Sequence, residues 1–243
     1  MKTGILKLES NRKIAKNTYE WVLAGDISDI TAPGQFVNVK LDGFYLRRPI
    51  SVCDAENGRL TLIFKVVGDG TEKMAEAKLG DEFDVMTGLG NGYDLSAAGN
   101  APLLIGGGAG VPPMYMLAKK LTEAGKSVSV ILGFGSADEV FYKEEFEKLG
   151  ARVFVTTVDG SFGIRGFVTH AMEGLDYSYF YTCGPEPMLK AVYDKSVCEG
   201  EFSFEERMGC GFGACMGCTC ETKYKYKRIC RDGPVLKKEE IVW

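Results

Sequence analysis

From residue 100 onward the chain repeats one unit: an apolar run, a glycine-rich turn, then an amphipathic stretch. "APLLIGGGAG" leads into "VPPMYMLAKKLTEAG" and "SVSVILGFG" into "ADEVFYKEEFEKLG"; "RVFVTTV" follows, and "YSYFYTCG" leads into "PEPMLKAVYDKSV". Alternation of this kind predicts a parallel sheet with helices on its faces. Parallel strands need a long crossover between each pair, so few other architectures accommodate the pattern.

The first hundred residues read differently. Short β-rich runs, "TYEWVLAG", "GQFVNVKL", "PISVC" and "RLTLIFKVV", are separated by Gly, Pro, Asp and Asn, which predicts an antiparallel barrel or sandwich. One helical segment, "TEKMAEAKL" (71–79), interrupts them, with Thr71 placed to cap its start. From about residue 201 cysteine and glycine dominate and little is left to bury. The expected organisation is a β-barrel domain over 1–97, an α/β nucleotide-type domain over 98–200 and a small metal-bearing module over 201–243.

A formal net charge of −4 and a pI near 5.3 argue against a nucleic-acid groove or an anionic membrane surface as the main partner, since both call for a concentrated basic face. The one basic run, "KYKYKR" (223–228), alternates with tyrosine and reads as a strand edge guarded by charge. The N-terminus lacks the apolar stretch of a signal peptide, and nothing later reaches the ~18 apolar residues of a membrane span, so a cytoplasmic protein is expected. In a reducing compartment clustered cysteines serve as ligands or redox groups rather than as a disulfide framework. Cys53, Cys183 and Cys198 stand apart and are expected to be ordinary buried residues.

The remaining five cysteines crowd the C-terminal region. Cys210-x4-Cys215-x2-Cys218 is the plant-type spacing for three ligands of a 2Fe-2S cluster. Four thiolates also suit tetrahedral zinc; the glycines at 209, 211, 213 and 217 favour iron-sulfur, because they let backbone N–H groups turn toward cluster sulfurs. Cys220 and Cys230 both remain candidates for the fourth ligand, since alternate residues of an extended segment share a face.

Three further motifs point to cofactors. "IGGGAGVPP" (105–113) follows a strand and opens a helix, where a pyrophosphate meets free N–H groups and a positive dipole. It departs from G-x-G-x-x-G at Val111. "TCGPEPM" (182–188) ends the last parallel strand in the same way, and two such turns line one crevice at the strands' carboxyl ends. In the barrel half, "YLRRPISV" (45–52) and "IFKVVGDGT" (63–71) set an arginine, a serine and a Gly-Thr helix start where a phosphate and a flat ring could both be held.

Taken together these motifs resemble the ferredoxin reductase type of flavoprotein. "MGCGFGACMGCTC" and "CRDGPV" narrow the resemblance to the electron-transfer subunits of NAD-linked, two-subunit dihydroorotate dehydrogenase, type B. The resemblance implies FAD held by Arg48, Pro49, Ile50 and Ser51, by Ile63, Phe64 and Lys65, and by Gly70 and Thr71 at the pyrophosphate. It implies a 2Fe-2S cluster on Cys210, Cys215, Cys218 and Cys230, leaving Cys220 outside the set. It places NAD(H) at the turn of Gly106, Gly107, Gly108 and Gly110 and at Cys183, Gly184 and Pro185. Its implied partner is an FMN-containing dihydroorotate dehydrogenase catalytic subunit in a heterotetramer, with neither nucleic acid nor membrane involved.

Nicotinamide gives or takes a hydride, two electrons at once, whereas a 2Fe-2S centre moves one. A flavin between them is therefore a chemical requirement, and in pyrimidine biosynthesis the expected flow is from the partner's flavin to the cluster, then FAD, then NAD+. His170, the only histidine, sits in "VTHAM" on an expected helix and carries no assigned role; neither a Ser-His-Asp set nor a paired-carboxylate signature stands out. No basic residue follows the second α/β strand in "GFGSAD" (133–138), which favours NAD over NADP, with Arg165 as the residue that could alter this. Two rival readings share much of the pattern: the small subunit of a ferredoxin:NADP or sulfide-linked oxidoreductase, and a redox-sensing flavoprotein without turnover. A zinc-stabilised interaction module is the simplest alternative.

Overall fold

The computed structural model describes residues 1–243. Strands β1 (Lys2–Ala15), β2 (Thr18–Ala24), β3 (Phe36–Val39), β4 (Arg48–Glu56), β5 (Arg59–Lys65) and β6 (Glu82–Leu89) close a barrel in the order β1-β2-β5-β4-β3-β6, with every neighbouring pair antiparallel. Period-2 alternation turns Trp21, Leu23, Val37, Val39, Leu60, Leu62 and Val85 into its core.

Helix α1 runs Asp69–Ala75, two residues earlier than the sequence suggests at its start. Thr71 lies inside the first turn rather than at the cap; its hydroxyl accepts from the N–H groups of Val67 (2.9 Å) and Gly68 (3.3 Å). The helix stops early because Asn11 Nδ2 donates to the carbonyls of Ala75 and Ala77, taking the acceptors a continuing helix would use.

The second half is a seven-stranded sheet. Its elements are β7 (Pro102–Gly107), α2 (Pro112–Glu123), β8 (Ser129–Phe134), α3 (Lys143–Lys148), β9 (Arg152–Thr157), β10 (Ile164–Arg165), α4 (Val168–Ala171), β11 (Tyr179–Cys183), α5 (Glu186–Lys195) and β12 (Gly200–Ser203). The order is β10-β9-β8-β7-β11-β12-β15, parallel throughout except for β15 (Val235–Lys237), which runs antiparallel to β12. The helix expected over 137–150 is shorter: Val140 is extended, Phe141 packs edge-on against Phe134, and Tyr142 adopts φ +63° before α3 begins. His170 Nδ1 accepts from Phe167 N–H (3.0 Å), a cap for the short α4.

Between β12 and β15 lie the cysteine loop, the hairpin β13 (Thr219–Glu221) with β14 (Tyr226–Arg228), and α6 (Ile229–Asp232). "KYKYKR" thus enters a short strand, and Lys227 pairs with Glu240 at 2.6 Å. The C-terminal segment buries more than its composition suggests: Phe202, Cys218, Ile229, Cys230, Leu236 and Ile241 join one apolar cluster with Phe36 of the barrel and Ile105 of the sheet. Its anchor on the barrel is Asn91, whose Nδ2 donates to Val235 O (2.8 Å) and whose Oδ1 accepts from Val235 N–H (2.9 Å). Barrel and sheet also meet at buried Glu20, which accepts from Tyr142 Oη (2.8 Å) and pairs with Arg12. No helix is long and apolar enough to cross a membrane.

Candidate functional site

A cleft of about 300 Å³ opens between barrel, sheet and C-terminal segment. Pro49, Ile50 and Ser51 of β4, Ile63, Phe64 and Lys65 of β5, and Thr71 of α1 line it together. The two arginines of "RRP" have different surroundings. Arg47 is braced by Asp84, with Nη2 to Oδ2 at 2.9 Å and Nη1 to Oδ1 at 3.0 Å. Arg48 lies over the Phe44 ring at 4.4 Å and so close to Gly70 that a Cβ there would strike its guanidinium. The arginine and the Gly70-Thr71 helix start are therefore adjacent, as a phosphate grip requires.

The two glycine turns are packed backbone on backbone. Gly106 pairs in register with Cys183, a Cβ on Gly110 would collide with the Cys183 carbonyl, and one on Gly106 would come within 2.8 Å of Val111 Cα. Gly107 and Gly184 both face Met188 of α5, while Gly108, at φ +52°, has open space where its side chain would be. Burial raises the Cys183 thiol, keeping it neutral. Ala109, at the tip of the first turn, lines the 300 Å³ cleft, which joins the crevice to the barrel site. In the loop after β8, Asp138 pairs with Lys16 of the barrel at 3.0 Å, and Arg165 packs against Gly160.

The thiols of the C-terminal loop fall into two pairs. Backbone N–H to sulfur bonds link Cys215 to Cys210 and Cys230 to Cys218. The N–H groups of Ala214 (3.2 Å) and Cys215 (3.4 Å) donate to Cys210 Sγ, Gly217 N–H to Cys215 Sγ (3.5 Å) and Cys230 N–H to Cys218 Sγ (3.4 Å). Burial opposes ionisation of Cys210, but the amides of Cys215, Phe212 and Ala214 outweigh it and lower the thiol to about 6. Burial, together with the Cys218 neighbour, pushes Cys230 up to about 12. Arg228 Nη1 ties the loop to the end of β14 through Gly213 O (2.7 Å). Cys220 stands outside both pairs: it sits opposite Lys227 in the hairpin and lines a second cavity, about 430 Å³, with Gly184, Pro185 and Trp243. Cys53 and Cys183 are buried as expected, whereas Cys198 is only half-buried, on the loop before β12.

Some lining residues were not among the expected site residues, although Met208 and Pro234 sit inside the two cysteine motifs. Phe36, Ser203, Phe204, Glu205, Met208 and Pro234 all face the 300 Å³ cleft. Glu205 and Phe204 also line the second cavity, and desolvation there raises the Glu205 carboxyl although its side chain remains open to solvent. Met208 and Pro234 flank the cysteine loop on either side, so one cavity wall is shared by barrel, sheet and loop. The run "FSFEERM" between a strand and the first cysteine was the available clue.

This combination of closed antiparallel barrel, parallel sheet and cysteine loop defines an iron-sulfur protein of ferredoxin-reductase fold. A solved NADH-dependent reduced ferredoxin-NADP oxidoreductase superposes with TM-score 0.89 at 30% identity, covering 99% of this chain and 90% of that one. A ferredoxin NADP+ reductase from Neisseria gonorrhoeae shares the fold alone, at TM-score 0.69 and 16% identity over 80% of this chain and 90% of its own. Residues 104–194 match the oxidoreductase NAD-binding domain, and residues 205–242 match the iron-sulfur cluster binding domain of dihydroorotate dehydrogenase B. The Fusobacterium nucleatum electron transfer subunit of dihydroorotate dehydrogenase B (NAD(+)) is 44% identical, with 99% of both chains covered; that of Bacillus pumilus is 45% identical, with 99% and 98% covered. The chain belongs to this family of dihydroorotate dehydrogenase B electron transfer subunits.

Proposed function

We propose that the chain relays electrons between NAD+ and a catalytic dihydroorotate dehydrogenase subunit in pyrimidine biosynthesis, within a heterotetramer whose partner carries FMN. The observation that carries the proposal is the shared cavity: the RRPIS strand, the nicotinamide-type turn and the approach to the cysteine loop face one space. FAD, a 2Fe-2S cluster and NAD(H) supply the redox chemistry, with flavin converting one-electron into hydride transfer.

The residues present suit those groups. Arg48 with Gly70 and Thr71 would grip the pyrophosphate, Pro49, Ile50 and Ser51 with Ile63, Phe64 and Lys65 would line the flavin, and Cys210, Cys215, Cys218 and Cys230 would hold the cluster. The Cys210-x4-Cys215-x2-Cys218 spacing and the backbone N–H groups aimed at these sulfurs favour a 2Fe-2S cluster over one zinc ion. Gly106, Gly107, Gly108 and Gly110 with Cys183, Gly184 and Pro185 would receive the dinucleotide. Asp138 occupying Lys16 leaves no free cation for a 2′-phosphate in that loop, which supports NAD. The thiolates need reducing surroundings, so the proposal includes a cytoplasmic location.

Anaerobic purification with co-purifying partners, followed by an assay of dihydroorotate-dependent NAD+ reduction, tests the whole reading. A reconstituted complex with both cofactors and no such activity would overturn it. Preference for reduced ferredoxin would instead favour the ferredoxin:NADP alternative, which shares the fold.

A further inference from the structure

Strand β3 separates the flavin cleft from the cysteine loop. Its inward residues, Val37 and Val39, belong to the barrel core; its outward residues are Phe36 and Asn38. Phe36 pairs with Ser51 and Asn38 with Pro49 of the RRPIS strand. On their other side Phe36 packs in the cluster that contains Cys218 and Cys230, and the Asn38 Nδ2 lies against Gly211, the residue after Cys210, so closely that a Cβ there would collide with it.

Asn38 is 1% exposed; its Oδ1 has no hydrogen-bond partner, and its Nδ2, the donor that faces Gly211, makes no side-chain hydrogen bond within the chain. A buried carboxamide without partners is costly and calls for a ligand. Its backbone is held firmly: Arg47 Nη1 reaches Asn38 O at 3.4 Å while clamped to Asp84. Gly211 adopts φ +78°, the left-handed backbone that leaves room for the amide. The Nδ2 donor therefore faces the thiol loop from the flavin-bearing barrel, on a strand fixed by its β4 pairing.

We propose that the Asn38 carboxamide is a positioning residue for the metal centre: it donates a hydrogen bond from the barrel to the sulfur cage held by the cysteine loop and raises its reduction potential. The proposal rests on the reading of that loop as a 2Fe-2S site. Donors near cluster sulfur stabilise the reduced, more negative state more than the oxidised one. Removing this donor should therefore make the cluster harder to reduce while leaving the flavin potential in place, since Asn38 does not line the flavin cleft.

The test is an anaerobic EPR-monitored redox titration of the full-length, FAD- and cluster-loaded protein, with the flavin followed by absorbance. Asn38→Leu, which keeps the branched shape and drops the donor, should shift the cluster midpoint to more negative potential without moving the flavin. Asn38→Ser and Asn38→Ala form a second pair that differs by one hydroxyl; Ser should lie above Ala, which keeps the proposal testable where Leu fails to fold. Equal cluster midpoints in the wild type and all loaded variants would overturn it. A wild type that shows no 2Fe-2S EPR signal on reduction would instead remove the reading beneath it.

Discussion

The nucleotide crevice and the cysteine loop do related jobs with opposite construction. The crevice is built from strand ends in register, glycines with no room for a methyl group, and a buried neutral thiol at Cys183. The loop has Cys215 exposed and is held by N–H to sulfur contacts of 3.2–3.5 Å, by Arg228 of β14 on Gly213 O and by Ile229 N–H on Cys218 O. One site is packed throughout; in the other only the Cys218 and Cys230 half is packed, while Cys210 and Cys215 stand more open to solvent.

The largest expected effect breaks the loop without touching the crevice. Cys230→Ser should lose or alter the cluster, read as iron content and EPR signal, while NADH still reduces the flavin. An unchanged signal would reassign the fourth ligand. Gly110→Ala is the mirror experiment: with the Cys183 carbonyl in the way, a destabilisation of about 3 kcal/mol is expected, together with weakened NADH binding and an intact cluster signal. A variant as stable as the parent would mean that the turn yields and the crevice is not preformed.

A pH experiment separates the sheet from the loop. Buried Glu201 on β12 accepts from Asp94 N–H at 2.9 Å, and burial raises its carboxyl from 4.5 to about 7. The fold favours the protonated form, so this contribution is complete below pH 4.5 and is lost as the pH rises through about 7. The loss amounts to up to about 3 kcal/mol. Denaturant melts should show Glu201→Gln flattening that slope between pH 5 and 8; a slope identical to the parent's would assign the pH dependence elsewhere.

Smaller still is the choice of dinucleotide. NADH should reduce the bound flavin with kcat/KM about tenfold or more above NADPH, and reversal would show that Lys16 or Arg165 serves a 2′-phosphate after all. Cys220→Ser should change nothing in the iron content or EPR signal, which sharpens the division between the two thiol pairs and the crevice wall.

Much of this was legible in advance because the signals are local. A strand followed by glycines and a helix is visible over ten residues, and ligand spacing in the loop requires no long-range knowledge. What was not legible depends on partners distant in sequence. The early end of α1 is set by Asn11 across the barrel, and the break before α3 by Phe141 seeking Phe134. Asn38 and Phe36 look like ordinary strand residues until the strand order sets them between β4 and the loop. The apolar content of the C-terminal segment was underestimated for a similar reason, since Ile229, Leu236 and Ile241 gain a core only by sharing that of the sheet.

The pairing of Ser203 with Val235 has a consequence for how such a chain could arise and be rebuilt. The metal-bearing segment leaves the sheet and returns to it at adjacent positions, so it is an excursion within a hairpin rather than an appendix. Loop-closure entropy grows only slowly with length, and a detour with fixed feet adds little cost to the sheet. Residues 204–234 are nonetheless built into both neighbours, since Phe204, Glu205, Met208 and Pro234 wall the cleft and Ile229 shares the sheet's core; replacing them with a tight turn should open the flavin site and uncover that core, read as lost FAD retention and a lower melting temperature.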